Sequence, residues 1–432
     1  MKIKFFSFVF LQVFLFFKIE YFSIFAITVI ALNKIFNKKY FLDYNTLFFK
    51  LTTSIFYLIK LISATNINFL NIWKSTSFRL FSIDNPFIDM QQFLFKIKCN
   101  SISKNYIYDP PYRTETSWFP PIECSSYTLA YGPIENFIGY NIQNIWLSSL
   151  IVAFIFTALL LKIYFELLNN SRDDYKYIIC FLFLSPAVNF LIDRANLDLI
   201  IYVSIYYILK NYQNFILLKI FVLLFFSLLK LHPVFIILGL FIYFVTTKEF
   251  KKASLHLFGL LIFSIFFANW YFNNSFFTPL PAYQGVTFGI LSDTILLNRI
   301  IDFNKVFIYI FICTCLLLSI LLNYKKLDGI KKMSYSTFSI LFWFSCISVY
   351  ANNDYRLVLL LLVFPYIHST KNRVYELSYY LLLLLNPLPL IFNISSETQI
   401  LNAGVYIDIN FYFFLTFTLV LLLKQIIILY KN

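Results

Sequence analysis

Ionisable and amide side chains occur at two breaks within an otherwise apolar stretch, Ser185–Phe241. Such groups are costly at membrane depth and usually serve a function where they occur there. The two breaks lie about one helical hairpin apart, so both can reach the same face of a membrane. The alternative is that they are ordinary loop residues at two helix ends, but opposite charges on one face favour a functional site. The side chains are Asp193, Arg194, Asn196, Asp198, Lys230 and His232.

The composition of the chain is that of a membrane protein. Of its 432 residues, 60% are hydrophobic and 13% are charged, and the mean hydropathy is +0.74. A soluble chain of this length would have roughly 25% charged residues. Apolar runs of about 20 residues recur, and period-2 alternation is absent. The sequence therefore predicts an all-α fold, a polytopic transmembrane bundle of about twelve helices that forms a single domain over residues 1–432.

The net charge of +14 comes mainly from short hydrophilic loops. This distribution is the positive-inside pattern and does not indicate a nucleic-acid partner. Counting from the basic loops places segments 66–143, 193–196, 230–232 and 352–356 on the outer side. Because successive helices alternate in direction across the membrane, the same count puts the N-terminus outside despite its lysines. This conflict disappears if the first apolar segment does not span the membrane. The basic loops contain Lys248, Lys251 and Lys252; Lys325, Lys326, Lys331 and Lys332; Lys371 and Arg373; and Lys431.

Residues 66–143 form the one long polar stretch, which is predicted to be a large extracytoplasmic loop. Loops of this length are usually functional or disordered, and the aromatic content here favours order. The piece Phe87–Lys98 is amphipathic and is expected to lie along the membrane surface. Cys99 and Cys124 share the loop and can pair if it faces an oxidising compartment.

Several short motifs together resemble a known family. The chain is similar to the GT-C superfamily of integral-membrane glycosyltransferases, most closely glycosyltransferase family 87 and its bacterial relatives. The resemblance covers roughly residues 80 to 370, and Ala195 stands where the family motif has glycine. The motifs that follow the acidic outer loop are Tyr131-Gly132-Pro133, Arg194-Ala195-Asn196-Leu197-Asp198, Lys230-Leu231-His232-Pro233 and Asn353-Asp354-Tyr355-Arg356-Leu357.

The resemblance implies a GT-C fold and a reaction. Members transfer a hexose or pentose from a polyprenyl-phosphate donor to a lipid-linked or glycan acceptor on the non-cytoplasmic side. It implies an inverting, mannosyltransferase-like enzyme of cell-envelope polysaccharide biosynthesis in a bacterial cytoplasmic membrane. The implied partners are membrane lipid, the lipid-linked donor and a glycan or glycolipid acceptor. No cofactor is implied, and metal dependence is expected to be absent or weak.

A carboxylate base is required because the acceptor hydroxyl loses a proton as it attacks the anomeric carbon. By resemblance this base lies in the first outer loop, where Asp89 followed by Tyr108-Asp109 fits the family form. Asp89 is the predicted base and Asp84 the second candidate. The alternative is that either carboxylate caps the adjacent amphipathic helix.

The leaving polyprenyl phosphate needs cations where its negative charge develops. An arginine suits a bidentate phosphate contact and a lysine a point-charge contact. The predicted phosphate-binding residues are Arg194, Lys230, His232 and Arg356. The predicted sugar- or acceptor-binding residues are Asn196, Asp198, Asp354, Trp118 and Tyr131. His232 has an alternative role in stabilising its turn, and Asn196 and Asp198 have one in orienting Arg194.

Two other classes of protein fit the same bulk features. A polysaccharide-repeat polymerase of the O-antigen or capsule type is also polytopic and outward-facing, although its long loop usually lies later in the chain. If the protein were a lipid-linked oligosaccharide flippase or another transporter, we would expect an internal repeat and polar residues near the middle of helices. The polar groups here cluster at helix ends, which favours the transferase.

Overall fold

The computed structural model describes residues 42–69, 73, 86–101, 107–108, 122–124, 138–171, 173–273, 287–288, 304–324, 332–349, 352–385 and 397–431. The predictions for the N-terminal segment, residues 1–41, lie outside these ranges. Within them the chain is almost entirely helical. The α-helices α1–α14 are Leu42–Ser63, Ile88–Cys99, Ile145–Asn170, Asp173–Phe183, Pro186–Arg194, Leu197–Lys210, Ile216–Leu229, Val234–Thr246, Phe250–Asn273, Lys305–Asn323, Tyr335–Ile347, Phe364–Ser369, Arg373–Leu385 and Glu397–Lys431.

Extended structure in the described residues is limited to two antiparallel pairs of two-residue strands. Strand β1 (Ile107–Tyr108) pairs with β2 (Ile122–Glu123), and β3 (Thr287–Phe288) pairs with β4 (Asn352–Asn353). A 3₁₀ helix, Asp354–Val363, follows β4 directly and leads into α12. The β3–β4 pair therefore lies at the start of the segment that carries Arg356.

Polar caps fix where several helices begin. The side chains of Asn144, Asn196, Asn304 and Ser334 each accept a hydrogen bond from a backbone N–H in the first turn of α3, α6, α10 and α11. Such caps satisfy donors that an apolar surrounding would leave unpaired. The helix starts are therefore set by local polar residues within long apolar runs.

Four helical stretches in the described residues are long and apolar enough to cross a membrane: Ile145–Asn170, Phe250–Trp270, Lys305–Asn323 and Phe411–Tyr430. Exposed apolar side chains on α10 such as Phe311 are the surface that lipid would cover. The protein is therefore a helical membrane protein.

Two apolar runs of the sequence are divided in the structure, and the predicted amphipathic helix is buried. The apolar run at 177–192 is broken between α4 and α5, because Pro186 disfavours a helical conformation at Ser185. The run at 357–367 is part 3₁₀ and part α-helix. Helix α2 is present where an amphipathic helix was predicted. However, eight of its 12 residues are buried, so it does not lie along the surface as expected.

The helices α6, α8, α9 and α11 meet at one end of the bundle. Tyr212, just after α6, lies 2.6 Å from His256 of α9 through its hydroxyl and the imidazole Nε2. Phe244 near the end of α8 stacks on Tyr335 at the start of α11. The opposite end of the bundle, which we call the site end, therefore contains the start of α6, the turn between α7 and α8, and the end of α11.

Helices α8 and α11 approach each other closely at Gly239. A Cβ atom at this position would lie 2.9 Å from the Cα atom of Ser339. Only glycine permits this backbone approach without a shift of one helix. The close contact sets the register between His232, before α8, and Trp343, near the end of α11.

Candidate functional site

Asn196 connects two charged groups at the site end. Its Nδ2 donates to the Asp89 carboxylate, and its Oδ1 accepts from the Lys230 ammonium at 2.6 Å. The same Oδ1 accepts from the backbone N–H of Asp198 at 3.0 Å and so caps α6. The preceding residue, Ala195, ends α5 with φ of 44°, a left-handed conformation that glycine adopts at lower cost. This turn brings Asn196 between the two groups.

The first group is the ion pair between Asp89 and Arg194. The Nε of Arg194 lies 2.8 Å from each Asp89 carboxylate oxygen, and Nη2 also donates to Oδ1. Asp89 lies in the first turn of α2, and Phe87 precedes that turn with a left-handed φ of 60°. The Phe87 N–H donates to the carbonyl oxygen of Asp193 at 2.7 Å, so the start of α2 is attached to the end of α5.

The second group surrounds Asp198. Its Oδ2 accepts from the Lys230 ammonium at 2.8 Å and lies 3.5 Å from Nε of Arg356. Its Oδ1 lies 2.7 Å from Nε2 of His232. The two carboxylate oxygens are therefore held by three side chains from two segments of the chain, the turn between α7 and α8 and the 3₁₀ helix that carries Arg356.

Hydrogen bonds fix the protonation state of His232. The indole Nε1 of Trp343 lies 3.1 Å from Nδ1 of His232. An indole N–H can only donate, so Nδ1 is unprotonated and Nε2 carries the proton that is donated to Asp198. His232 lies in the turn between α7 and α8, and burial lowers its pKa to about 4 against the opposing effect of the Asp198 carboxylate. His232 therefore supplies an N–H donor and no positive charge, unlike the cation expected from the sequence.

The two groups together carry a positive excess. Arg194, Lys230 and Arg356 contribute three positive charges, and Asp89 and Asp198 contribute two negative charges, which leaves +1. Arg194 is the most accessible of the three cations, with 22% of its side chain exposed against 8% for Lys230 and 12% for Arg356. The described part of the cluster is therefore suited to an anionic ligand.

A further ion pair fastens α1 to this end of the bundle. The Lys60 ammonium lies 2.7 Å from the Asp193 carboxylate and 2.9 Å from Oδ1 of Asn189, and the ion-paired side chains are almost fully buried. Asp193 was singled out from the sequence, whereas Lys60 was not. Its position three residues before the end of α1 is the signal, since it places the lysine at the same end as the other charged groups.

A small, partly open cleft with room for about one water molecule adjoins the second group. Asp198, His232 and Arg356 form its polar side. Its remaining lining residues are Ile201, Tyr202, Val358 and Leu359, and Asp89 is not among them. Tyr202 was not singled out from the sequence, because tyrosines are common in membrane helices. The cleft is therefore polar on one side and mainly apolar on the other.

The structure brings together seven of the predicted site residues. Asp84, Trp118 and Tyr131 lie outside the described residues, and so does the side chain of Asp354. Among the residues that the structure describes, no three His, Cys, Asp or Glu side chains converge as metal ligands. The residues brought together are Asp89, Arg194, Asn196, Asp198, Lys230, His232 and Arg356.

A comparison of the chain with protein-family models, with curated proteins and with solved structures finds no match.

Proposed function

We propose that the protein is a glycosyltransferase of the GT-C type that moves a sugar from a polyprenyl-phosphate donor to a lipid-linked or glycan acceptor. The observation that carries the proposal is the network at the site end, in which two carboxylates and three cations meet at one end of an apolar helical bundle. A lipid phosphate needs cations at the edge of an apolar surface. An acceptor hydroxyl needs a nearby carboxylate.

The reaction makes a defined demand on these charges. The acceptor oxygen bonds to the anomeric carbon while the bond from that carbon to the phosphate oxygen breaks. The polyprenyl phosphate leaves with the bonding electron pair and gains one negative charge, and the hydroxyl proton passes to a carboxylate. Cations beside the phosphate stabilise the transition state more than the ground state.

Arg194 links donor binding to the proposed base. In the structure Arg194 and Asn196 hold both oxygens of Asp89. A donor phosphate that binds the accessible Arg194 guanidinium competes with Asp89 for the same N–H donors. Binding of the donor thus frees one carboxylate oxygen of Asp89 to accept the hydroxyl proton. Asp89 becomes a base only when donor is present.

Two observations support placing the site on the outer face. Cys99 at the end of α2 is disulfide-bonded to Cys124, and disulfides persist in oxidising compartments. Lys251 and Lys252 lie at the start of α9, at the opposite end from the site. Basic residues favour the cytoplasmic side.

The proposed site residues also lie at helix ends, whereas a transporter site lies near the middle of the membrane.

The proposal is tested by transfer from labelled polyprenyl-phosphate sugars in liposomes that contain the purified protein and membrane-lipid acceptors. The wild type is expected to transfer label. Asp89→Asn is expected to lose roughly 10²–10⁴-fold of the rate, the usual contribution of a general base. The matched control is Glu166→Gln, which alters a carboxylate paired with Lys210 away from the site.

Two results separate the activity from the role of Asp89. No transfer by the wild type from any polyprenyl-phosphate hexose or pentose would overturn the proposed activity. Normal transfer by Asp89→Asn would remove Asp89 as the base. The same assay on Asp198→Asn then tests the carboxylate that lines the cleft.

A further inference from the structure

Three lysines at the end of the bundle opposite the site end have no carboxylate partner among the residues that the structure describes. They are Lys219 in the first turn of α7, Lys248 just before α9 and Lys251 at the start of α9. At the site end, by contrast, the cations of both charged groups contact Asp89 or Asp198. A counter-ion for the three lysines therefore has to come from outside the described residues.

Helix α7 begins at a deeper level of the bundle than α9. Both helices start at this end, and they meet where Gly259 of α9 lies against Ile220 of α7. Ile220 is the fifth residue of α7, which begins at Ile216, whereas Gly259 is the tenth residue of α9, which begins at Phe250. At a rise of 1.5 Å per residue, the turn between α6 and α7, residues 211–215, is set back by about 7 Å from the start of α9.

The depth of this turn places it at the edge of the hydrocarbon core. The stretch of α9 that is long and apolar enough to span a membrane begins at Phe250. A turn set back from that level by about 7 Å lies at the boundary between lipid headgroups and acyl chains. The turn nevertheless exposes the polar side chains of Asn211, Gln213 and Asn214. Polar groups at this depth need polar partners.

Two ammonium groups lie against the turn. The Lys219 ammonium donates to the carbonyl oxygen of Asn211 and lies 5.9 Å from the centre of the Tyr212 ring. The Lys252 ammonium lies 2.6 Å from Oε1 of Gln213. A helical side chain extends towards the start of its helix, so Lys219 reaches back from α7 to the headgroup level. Positive charge is therefore concentrated where phospholipid phosphates lie.

An exposed apolar face of α7 continues from the turn towards the site end. Phe215 in the turn is 81% exposed, and Leu218 and Phe221 of α7 are 62% and 66% exposed. Residues three or four positions apart share one face of a helix, and Phe225 extends the same face. Acyl chains cover such side chains, whereas water would leave their apolar area exposed. The turn and α7 thus combine a cationic end with an apolar length.

We propose that the turn between α6 and α7 and the exposed face of α7 bind an anionic phospholipid of the adjacent leaflet. The lipid phosphate contacts the Lys219 ammonium, and the neighbouring lysines add positive potential. The acyl chains lie along Leu218 and Phe221. This site is separate from the proposed sugar transfer, which takes place at the other end of the bundle.

The charge balance favours an anionic lipid over a zwitterionic one. Lys219, Lys248, Lys251 and Lys252 contribute four positive charges and Glu249 contributes one negative charge, which leaves +3. A zwitterionic headgroup brings its own ammonium, which this excess repels. Basic pockets between membrane helices bind anionic headgroups for this reason. An acidic protein would also match the charge, but its polar surface would not cover the exposed apolar face of α7.

The test compares lipids that differ in headgroup charge. Binding of phosphatidylglycerol and phosphatidylcholine with identical acyl chains is measured on the purified full-length protein by native mass spectrometry, for the wild type, Lys219→Gln and Lys219→Arg. The matched control is Lys305→Gln, which removes a lysine at the start of α10, another membrane-spanning helix. Inorganic phosphate and a polyglutamate peptide serve as parallel ligands.

Phosphatidylglycerol is expected to bind the wild type more tightly than phosphatidylcholine. Lys219→Gln is expected to weaken phosphatidylglycerol binding by roughly 5-fold or more, the effect of one lysine at an anionic headgroup, and to leave phosphatidylcholine binding unchanged. Lys219→Arg and Lys305→Gln are expected to bind like the wild type, because the first keeps the charge and the second leaves the turn intact.

Three results would overturn the inference. The first is equal binding of the two lipids by the wild type. The second is unchanged phosphatidylglycerol binding by Lys219→Gln. The third is an equal loss in Lys219→Gln and Lys305→Gln, because the lipid would then respond to the overall charge of the protein and not to this turn.

The parallel ligands distinguish the source of the anion. If inorganic phosphate binds the wild type as tightly as phosphatidylglycerol does, the turn is a site for free phosphate and the lipid assignment is overturned. If polyglutamate displaces phosphatidylglycerol at equal concentration, the turn is a site for an acidic protein instead. None of these results bears on sugar transfer, so a failure here and a failure of the proposed function remain distinguishable.

Discussion

Trp343 donates its indole N–H to Nδ1 of His232 across 3.1 Å, and the opposite nitrogen of that imidazole faces Asp198 at 2.7 Å. An indole thus sets the tautomer of a histidine that in turn holds a carboxylate at the cleft. The relation depends on the close approach of α8 and α11. His232 is therefore a neutral donor, and its Nε2–H holds the Asp198 carboxylate in position.

The first prediction concerns the pKa of His232. Trp343→Phe removes a hydrogen bond that only the neutral imidazole can accept, so the pKa of His232 is expected to rise from about 4 towards its ordinary value of 6.5. The measurement is a histidine NMR titration in detergent micelles, which is tractable because the chain has three histidines. His256 and His368 serve as internal controls. An unchanged titration of His232 in the variant would contradict the assigned tautomer.

The same residue gives a pH dependence of stability with a defined sign. The folded pKa lies below the unfolded value, so the unfolded chain binds the proton first as pH falls. The contribution of His232 is full above about pH 6.5 and is lost as pH falls towards 4. His232→Gln keeps a donor and is expected to flatten this part of the thermal-stability profile. A slope that persists in the variant must come from another group.

The second prediction concerns Asn196. Asn196→Ala removes a helix cap, worth about 1 kcal/mol, and also leaves Asp89 and Lys230 each short of a buried partner, worth about 1–3 kcal/mol per group. The expected result is a lower unfolding midpoint in detergent and a loss of transfer. Asn144→Ala, which removes an ordinary cap from α3, is the matched control and is expected to cost only the cap. Equal effects of the two variants would show that Asn196 acts as a cap alone.

The third prediction concerns the buried pair of Lys60 and Asp193. Lys60→Met or Asp193→Leu alone leaves an uncompensated buried charge and is expected to destabilise the protein by about 3–5 kcal/mol. The double variant is expected to recover most of this loss, because no lone charge remains. A double-mutant cycle on unfolding midpoints and membrane expression levels measures the coupling.

The control for this cycle is the accessible pair of Lys252 and Glu249, which is three residues apart on the surface. Lys252→Met is expected to change stability by roughly 0–1 kcal/mol. If the double variant at Lys60 and Asp193 is as unstable as the sum of its single variants, the two residues do not act as a pair.

The fourth prediction compares two glycines. A methyl group at Gly239 would meet the backbone of Ser339 at 2.9 Å, whereas one at Gly259 would meet the Cγ2 methyl group of the Ile220 side chain at 2.9 Å. Gly239→Ala is expected to cost about 1–3 kcal/mol and to disturb the His232 titration, because α8 and α11 must separate. Gly259→Ala is expected to lie within about 1 kcal/mol of the wild type, since the isoleucine can move. A normal His232 titration in Gly239→Ala would show that the helix contact does not set the tautomer.

The sequence could predict which polar residues share one end of the bundle. Asp198 and Lys230 lie at two breaks one hairpin apart, and antiparallel helices bring such breaks to the same end. The sequence could not predict that Arg194 pairs with Asp89, because the two residues are 105 positions apart and their pairing depends on how α2 packs against α5. A charged residue in a polar loop carries no signal of its partner.

Burial was the harder property to predict. Helix α2 has the alternation of a surface helix, yet Phe93 and Phe95 are both buried because α3 and α5 cover it. Tyr202 resembles any tyrosine of a membrane helix until the cleft beside it is known. Lys60 is a single charge in an apolar run, and its contacts with Asp193 and Asn189 explain how it is tolerated.

The side-chain amide of Asn196 has a direction. One end can only give a proton and the other can only accept one, so a half-turn about its last bond would set oxygen against oxygen at Asp89 and nitrogen against nitrogen at Lys230. The rotation is further blocked because the same oxygen holds the first turn of α6. The acidic side and the basic side of this end of the protein are therefore not interchangeable. Any molecule bound across them has only one favourable orientation.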